Sequence, residues 1–329
     1  MARERLYDID RAKGLAIFLV VLGHIAIQTQ PDVPNWYLLL RSAIYEFHMP
    51  FFMFLSGVIF QYTYRPVKDL TEYVDFVISK ARRLMPAFFL FGTVTLIGKL
   101  MASRIMYVEN VPDGVLNGLV AMLITPESSA AGSLWYIYVL FEYYFLFPLL
   151  LAFLRGNILL IFLLSIPVYF LPNVPFFLLG AAAKFAIFFA AGVLIMYHRQ
   201  RYMQVIRTNR WFFMLLFAVS FGAELIFTHG ISKMIIGLCS IPALHALVAS
   251  PPTERSRMLY ILGLYAFPIY LMNMIIIGLI KGIILKVGGW SGNLFIIYFV
   301  IQLIFGLSIP MIIKKYAIAK IPVLDRITS

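Results

Sequence analysis

The chain reads as an all-α integral membrane protein, a bundle of about ten membrane-spanning helices with both termini in the cytoplasm. Three observations predict this. Of 329 residues, 62% are hydrophobic and only 13% charged, and the mean hydropathy is +0.90. Ordinary soluble chains are about one quarter charged and under half apolar. The apolar stretches run roughly 17–25 residues, long enough for helices to cross a bilayer and too long for barrel strands of about ten. The basic residues also alternate between loops in the manner of the positive-inside rule.

The spans are expected at roughly 12–29, 41–63, 84–102, 133–154, 157–173, 180–197, 211–228, 231–249, 258–281 and 293–313. Basic clusters bound them. With the N-terminus inside, twenty of the 27 Lys and Arg residues fall on the inner side: Arg3 to Lys13, Arg65 to Arg83, Arg155, Arg199 to Arg210, Arg255 with Arg257, and Lys314 to Arg326. The segment 115–125 is apolar but too short to span, which suggests an interfacial or re-entrant helix. Turn signals flank it at Val111-Pro112-Asp113-Gly114 and Thr125-Pro126. No loop has room for a soluble accessory domain, so 1–329 reads as one transmembrane domain. The first apolar run is too long for a signal peptide and lacks a small-x-small cleavage site, so it is expected to remain as the first helix. The net charge of +12 belongs to topology and gives no reason to expect nucleic acid. A single cysteine, Cys239, excludes an internal disulfide. No internal repeat is evident, which argues against a transporter built from inverted halves.

Chemistry is expected where ionisable groups enter the spans, because each is costly there. The first span begins at Lys13 and holds His24 near its far end. Eleven residues bring Lys13 and His24 within roughly 20° of one line, and Asp10 falls about 40° from it. The second span carries Glu46 and His48 just before Pro50, with Ser56-Gly57 beyond. His48 lies about 10 Å below the outer edge, the depth expected for His24. A packing histidine bonded to a neighbouring carbonyl is the competing account of His48. Lys80, Arg82 and Arg83 open the third span. Such a cluster can grip a phosphorylated ligand or simply anchor the helix on the positive side. The helix from Leu134 to Pro148 brings Trp135, Tyr136 and, two turns deeper, Glu142. Other charged or titratable groups in the spans include Lys99, Lys184, Glu224, Lys233, His245 and Lys281.

These clusters, in this order, resemble the acyltransferase-3 family of bacterial multi-pass O-acyltransferases, and within it the branch of sugar O-acetylases of the fucose-4-O-acetylase type. Asp-x-x-Lys/Arg, ten residues, then His appears as Asp10, Lys13 and His24. Phe-His-Met-Pro-Phe-Phe occupies 47–52 and Leu-Ser-Gly 55–57. Arg-x-x-Arg-Ile-x-Pro is similar to Lys80, Arg83, Leu84 and Pro86. The late Ser-x-x-Ile-Tyr-Leu-x-His segment is similar to Ile269-Tyr270-Leu271, with Asn273 where histidine is common. Adjacent glutamates of many relatives are replaced here by Leu140 and Phe141.

The resemblance implies an acetyl-CoA (acyl-CoA) donor on the cytoplasmic side of a bacterial inner membrane and no metal. The acceptor would be a glycan or lipid-linked sugar at the outer face, giving O-acetylation of a polysaccharide or its precursor. It implies His24, Asp10, His48 and Glu142 as catalytic candidates. Lys13, Lys80, Arg82 and Arg83 would be donor-binding, and Glu46, Ser56, Trp135 and Tyr136 acceptor-binding. Imidazole can serve as general base or as transient acyl carrier. A narrow donor tunnel opening between Lys13 and Arg83 and ending at His24 is expected, which a bulky residue at Gly14 would block if Gly14 faces it. The competing functions are a transporter or flippase of glycan intermediates and a non-catalytic subunit of a glycan-assembly complex.

Overall fold

The computed structural model describes residues 4–26, 32–104, 108, 110–287 and 291–328. Among them no strand occurs. The helices are α1 Tyr7–His24, α2 Asn35–Thr63, α3 Leu70–Ala102, α4 Val115–Ile124 and α5 Trp135–Phe153. They continue as α6 Ile158–Tyr169, α7 Leu179–Tyr197, α8 Arg199–Thr208, α9 Arg210–Ser220 and α10 His229–Val248. The last four are α11 Arg257–Leu264, α12 Ala266–Val287, α13 Phe295–Tyr316 and α14 Pro322–Ile327.

The all-α membrane character holds. Among the described residues, seven helical segments are long and apolar enough to cross a bilayer: α2, α3, α10, α12, and the segments containing α5, α7 and α13. Their outward faces carry large apolar side chains such as Phe153 and Val287, each more than four-fifths exposed. In water such a surface would be costly; lipid removes the cost.

The departures from ten have physical reasons. The helix α1 holds Asp8, Asp10, Arg11 and Lys13 in its first two turns, so its uncharged part starts only at Gly14. The segment expected at 157–173 is a helix of just 12 residues, α6. The segment expected at 211–228 stops being α-helical at Ser220 and continues as a 3-10 turn, Phe221–Leu225. The segment expected at 258–281 breaks at Tyr265 into α11 and α12. Pro268 lacks the amide hydrogen that would have bonded back across that break. The segment 115–125 is the short apolar helix expected of it, α4.

The chain forms two compact units. One contains 1–62 and 191–312, the other 63–190 and 313–329. The first is organised around α1. Its glycines let helices approach until backbones touch: a Cβ on Gly14 would lie 1.9 Å from the Leu259 carbonyl oxygen, and one on Gly263 1.7 Å from that of Asp10. So α1 and α11 are in backbone contact, the usual device where lipid offers no hydrophobic drive between helices. Gly14 therefore packs against α11, and the expectation that it lines a donor tunnel is overturned. The second unit is built on aromatic packing. Tyr143 and Phe147 of α5 meet Phe189 of α7 at ring separations of 4.6 and 4.5 Å. The Tyr143 hydroxyl donates to the Ala182 carbonyl at 2.7 Å.

Candidate active site

His24 sits on the last turn of α1, and its position is set by a tyrosine from the next helix. The hydroxyl of Tyr37, a fully buried residue, donates to the Leu22 carbonyl at 3.0 Å and accepts from the Ala26 amide at 3.1 Å. These are the two groups that would bond to each other if α1 continued. The hydroxyl intercepts them, so the helix stops at His24, short of the expected 29, and the imidazole is presented at a helix end.

The imidazole meets three other polar groups. His24 Nδ1 lies 3.1 Å from Asn273 Oδ1 of α12. Tyr45 places its ring 6.4 Å from that of His24 and 5.0 Å from that of His48. Tyr45 thus links the two imidazoles that the sequence placed at one depth. Arg41 completes the group. Its Nε–H donates to the Gly23 carbonyl at 3.2 Å, and its guanidinium lies 4.3 Å over the Tyr45 ring.

Hydrogen bonding decides how each imidazole is protonated. Asn273 Nδ2 donates to the Ile269 and Tyr270 carbonyls at 2.9 and 2.8 Å. Carbonyl oxygens only accept, so the amide cannot be turned over, and Oδ1 must face His24. An amide oxygen also only accepts, so His24 Nδ1 carries the hydrogen and Nε2 keeps its lone pair. His48 Nδ1 lies 2.7 Å from the Ile44 carbonyl, so it too is protonated at Nδ1. The two differ in access. His48 is 3% exposed, whereas His24 is only partly buried. The bond to Ile44 is the one a packing histidine makes, and His24 is the more accessible of the two imidazoles.

The other end of α1 holds a second network. Asp10 pairs with Lys13 at 2.8 Å and with Arg5 at 2.7 Å. Asp8 accepts from Arg199 at 2.6 Å and from His245 Nε2 at 3.0 Å, and His245 Nδ1 lies 3.2 Å from the Tyr202 hydroxyl. Both aspartates precede the apolar run. Burial pushes the Asp8 carboxyl up, but His245 and Arg199 outweigh it and hold it down at about 2. Burial likewise opposes the ionised Asp10, and Lys13 and Arg5 prevail, so its carboxyl is lowered. Asp10 and His24 are fourteen residues apart on one unbroken helix, roughly 21 Å by rise. The structure therefore does not bring Asp10 to the imidazole; its carboxylate is held by Lys13 and Arg5.

The remaining candidates divide as follows. Glu46 pairs with Lys233 at 3.3 Å, and its carboxylate lies within 4.8 Å of ligand atoms of Glu224 and His229. Lys233 already supplies a cation there. Ser56 donates back to Phe52 within α2 at 2.9 Å. In the second unit, Arg82 and Arg83 are exposed on α3. Lys80 lies 4.8 Å over the Tyr144 ring and 5.1 Å over that of Phe76. It borders an open cavity of about 260 Å³ lined also by Arg65, Phe76 and Ser79. Trp135 packs on Phe185 at 4.9 Å, and Tyr136 is buried. Among the described residues, Glu142 Oε2 is buried without a hydrogen-bond partner.

Arg41 and Asp8 were not among the sequence candidates, Asn273 stood out only as a replacement for histidine, and His245 only as a titratable group within a span. Arg41 was findable: Arg41, Tyr45 and His48 fall at i, i+4 and i+7, one face of α2. Asp8 and His245 are 237 residues apart, and no local spacing signals their pairing.

The site thus presents a partly buried, tautomer-fixed imidazole at a helix end, and the comparison with known families is decisive. The family model of the acyltransferase-3 type, described as an acyltransferase domain, matches residues 6–315. The chain belongs to the acyltransferase-3 family. It is thus a multi-pass membrane acyltransferase. No curated protein and no solved structure matches it. The match runs through both compact units, so this acyltransferase includes α1, with His24, and α3, with Lys80 and Arg83, in one family domain.

Proposed function

We propose that this acyltransferase moves an acetyl group from the thioester of acetyl-CoA to a sugar hydroxyl of an envelope or exported glycan, or of its lipid-linked precursor. The observation that carries the reading is His24, with Nδ1–H spent on Asn273 and the Nε2 lone pair left for substrate. Nε2 takes the proton of the sugar hydroxyl as that oxygen attacks the thioester carbonyl. The carbon–sulfur bond breaks, and the leaving thiolate receives the proton from the imidazolium. In the covalent variant, Nε2 itself attacks and the thiolate leaves; the hydroxyl then attacks the acyl-imidazolium, the acyl–Nε2 bond breaks to return the neutral imidazole, and the hydroxyl proton passes to the thiolate.

Donor binding is assigned to basic groups. Lys80 and Arg65 border a cavity with an aromatic wall, Phe76, a combination suited to a nucleotide base with phosphates. Lys13 lies eleven residues from His24, about 16 Å along α1. A long flexible arm such as pantetheine matches that kind of separation. With both termini cytoplasmic, as the basic loops indicate, His24 stands in the outer half of a bacterial inner membrane, on the side where a glycan arrives.

The test is transfer itself. Purified protein in lipid nanodiscs is incubated with radiolabelled acetyl-CoA and candidate glycans. Label in the glycan, dependent on the protein, supports the reading. Glycan movement across vesicles without label incorporation would replace it with transport.

A further inference from the structure

Among the described residues, no ion pair holds Arg41, the cation beside His24. Arg41 is half-buried, and its Nε–H is tied to the Gly23 carbonyl. Among the described residues of its unit, the carboxylates that form ion pairs are taken by other groups. Asp8 holds Arg199 and His245, Asp10 holds Arg5 and Lys13, and Glu46 holds Lys233. None of these pairs includes Arg41. Glu46, nearest in sequence, lies five residues on, about 140° around α2. Leaving a guanidinium half-buried and uncompensated is costly. The Tyr45 ring stacks under it and offsets part of that cost.

Its placement matches the reaction. The guanidinium carbon lies 4.3 Å over the Tyr45 ring, and that ring is 6.4 Å from the imidazole of His24. The cation and the base are therefore no more than about 11 Å apart, the scale of one or two sugar rings. A guanidinium is planar, and its outer edge matches an oxyanion in two parallel hydrogen bonds. Tyr45 is itself 37% exposed and offers an aromatic surface between the two.

We propose that Arg41 is a specificity-determining residue that selects an anionic acceptor: it holds a carboxylate or phosphate of the glycan while a hydroxyl of the same or the next sugar faces His24 Nε2. This rests on the acyl-transfer reading above and names the class of acceptor.

The experiment compares matched acceptors with the full-length protein in nanodiscs: a neutral glucose oligomer, the same oligomer bearing glucuronate, and the same oligomer bearing a sugar phosphate. Binding is measured by calorimetry and transfer by acetyl label. The wild type is expected to favour one or both charged acceptors by roughly tenfold or more, the range for a charged hydrogen-bonded contact. Which charged acceptor is favoured tells carboxylate from phosphate. Arg41→Gln, which keeps an N–H for the Gly23 carbonyl, should abolish that preference, read as the ratio of charged to neutral transfer within the variant. Arg41→Lys should keep part of it. Equal binding and equal transfer for all three acceptors, or an equal loss for all three in Arg41→Gln, overturns the proposal. Arg41-dependent binding of the charged oligomers without any acetyl transfer upholds the anion site and removes the acyl-transfer reading instead.

Discussion

Replacing Asn273 with leucine tests the chemical logic of the site. The side chain keeps its size but loses the oxygen that accepts His24 Nδ1–H. The same bond fixes the base tautomer in the resting enzyme and steadies the imidazolium while the proton is held. A neutral buried hydrogen bond contributes about 0.5–1.5 kcal/mol, and one to a charged group about 1.5–3. Each 1.36 kcal/mol is tenfold in rate. The expected loss in kcat is therefore between roughly twofold and 150-fold, with the Michaelis constants for donor and acceptor nearly unchanged. Steady-state label transfer with each substrate varied in turn reads this directly. Asn273→His should stay within about threefold of wild type, because imidazole can donate to a helix carbonyl with one nitrogen and accept from His24 with the other. Asn273→Asp should be poor, since an oxygen would replace the amino group now donating to the Ile269 and Tyr270 carbonyls. An Asn273→Leu enzyme with wild-type kcat, or one impaired only in substrate affinity, would refute the argument.

Three further outcomes follow from the geometry. Gly14→Ala forces α1 away from α11 and should cost ~3 kcal/mol, read as a lower melting temperature in detergent; normal melting with selective loss of donor entry would restore the tunnel wall. Asp8→Asn strands Arg199 and His245 and should cost about 3 kcal/mol at pH 7. Because the Asp8 carboxyl is lowered on folding, the wild type's advantage is complete above its unfolded value, shrinks by pH 3 and is gone below about 2, so paired melts at pH 7 and pH 3 check the sign. Arg83→Ala should raise the acetyl-CoA requirement by roughly tenfold and leave the acceptor requirement alone; an acceptor-only defect in the same kinetics would move Arg83 out of the donor site.

Much of the fold was legible because cost in lipid is written locally. The charges at 8–13 and the histidine at 24 stand out from an apolar helix, and the prolines and basic clusters divide the chain into runs. What was not legible depends on contacts between distant segments. The end of α1 is set by Tyr37, so an apolar run continuing past His24 overstated the helix. The role of Gly14 depends on the Leu259 backbone, 245 positions away. A glycine in an apolar helix reads equally well as packing or as a wall. Asn273 looked like a departure from the expected histidine, yet its amide does for His24 what that position requires. His48 shows the limit of depth arguments. The sequence puts it at one level with His24, and what the spacing could not show is its bond to Ile44 and its burial. For Asp10, the stripe shared with Lys13 and His24 was real, and the separation along it was the stronger fact.

The central claim is that His24 performs the transfer. The direct measurement is acetyl transfer from labelled acetyl-CoA to glycan by wild type and by His24→Gln, each monodisperse and reconstituted at equal amounts. The account predicts a loss of about a hundredfold to ten-thousandfold, the range for a positioned proton-transfer group. Wild-type turnover by a folded His24→Gln protein would contradict it.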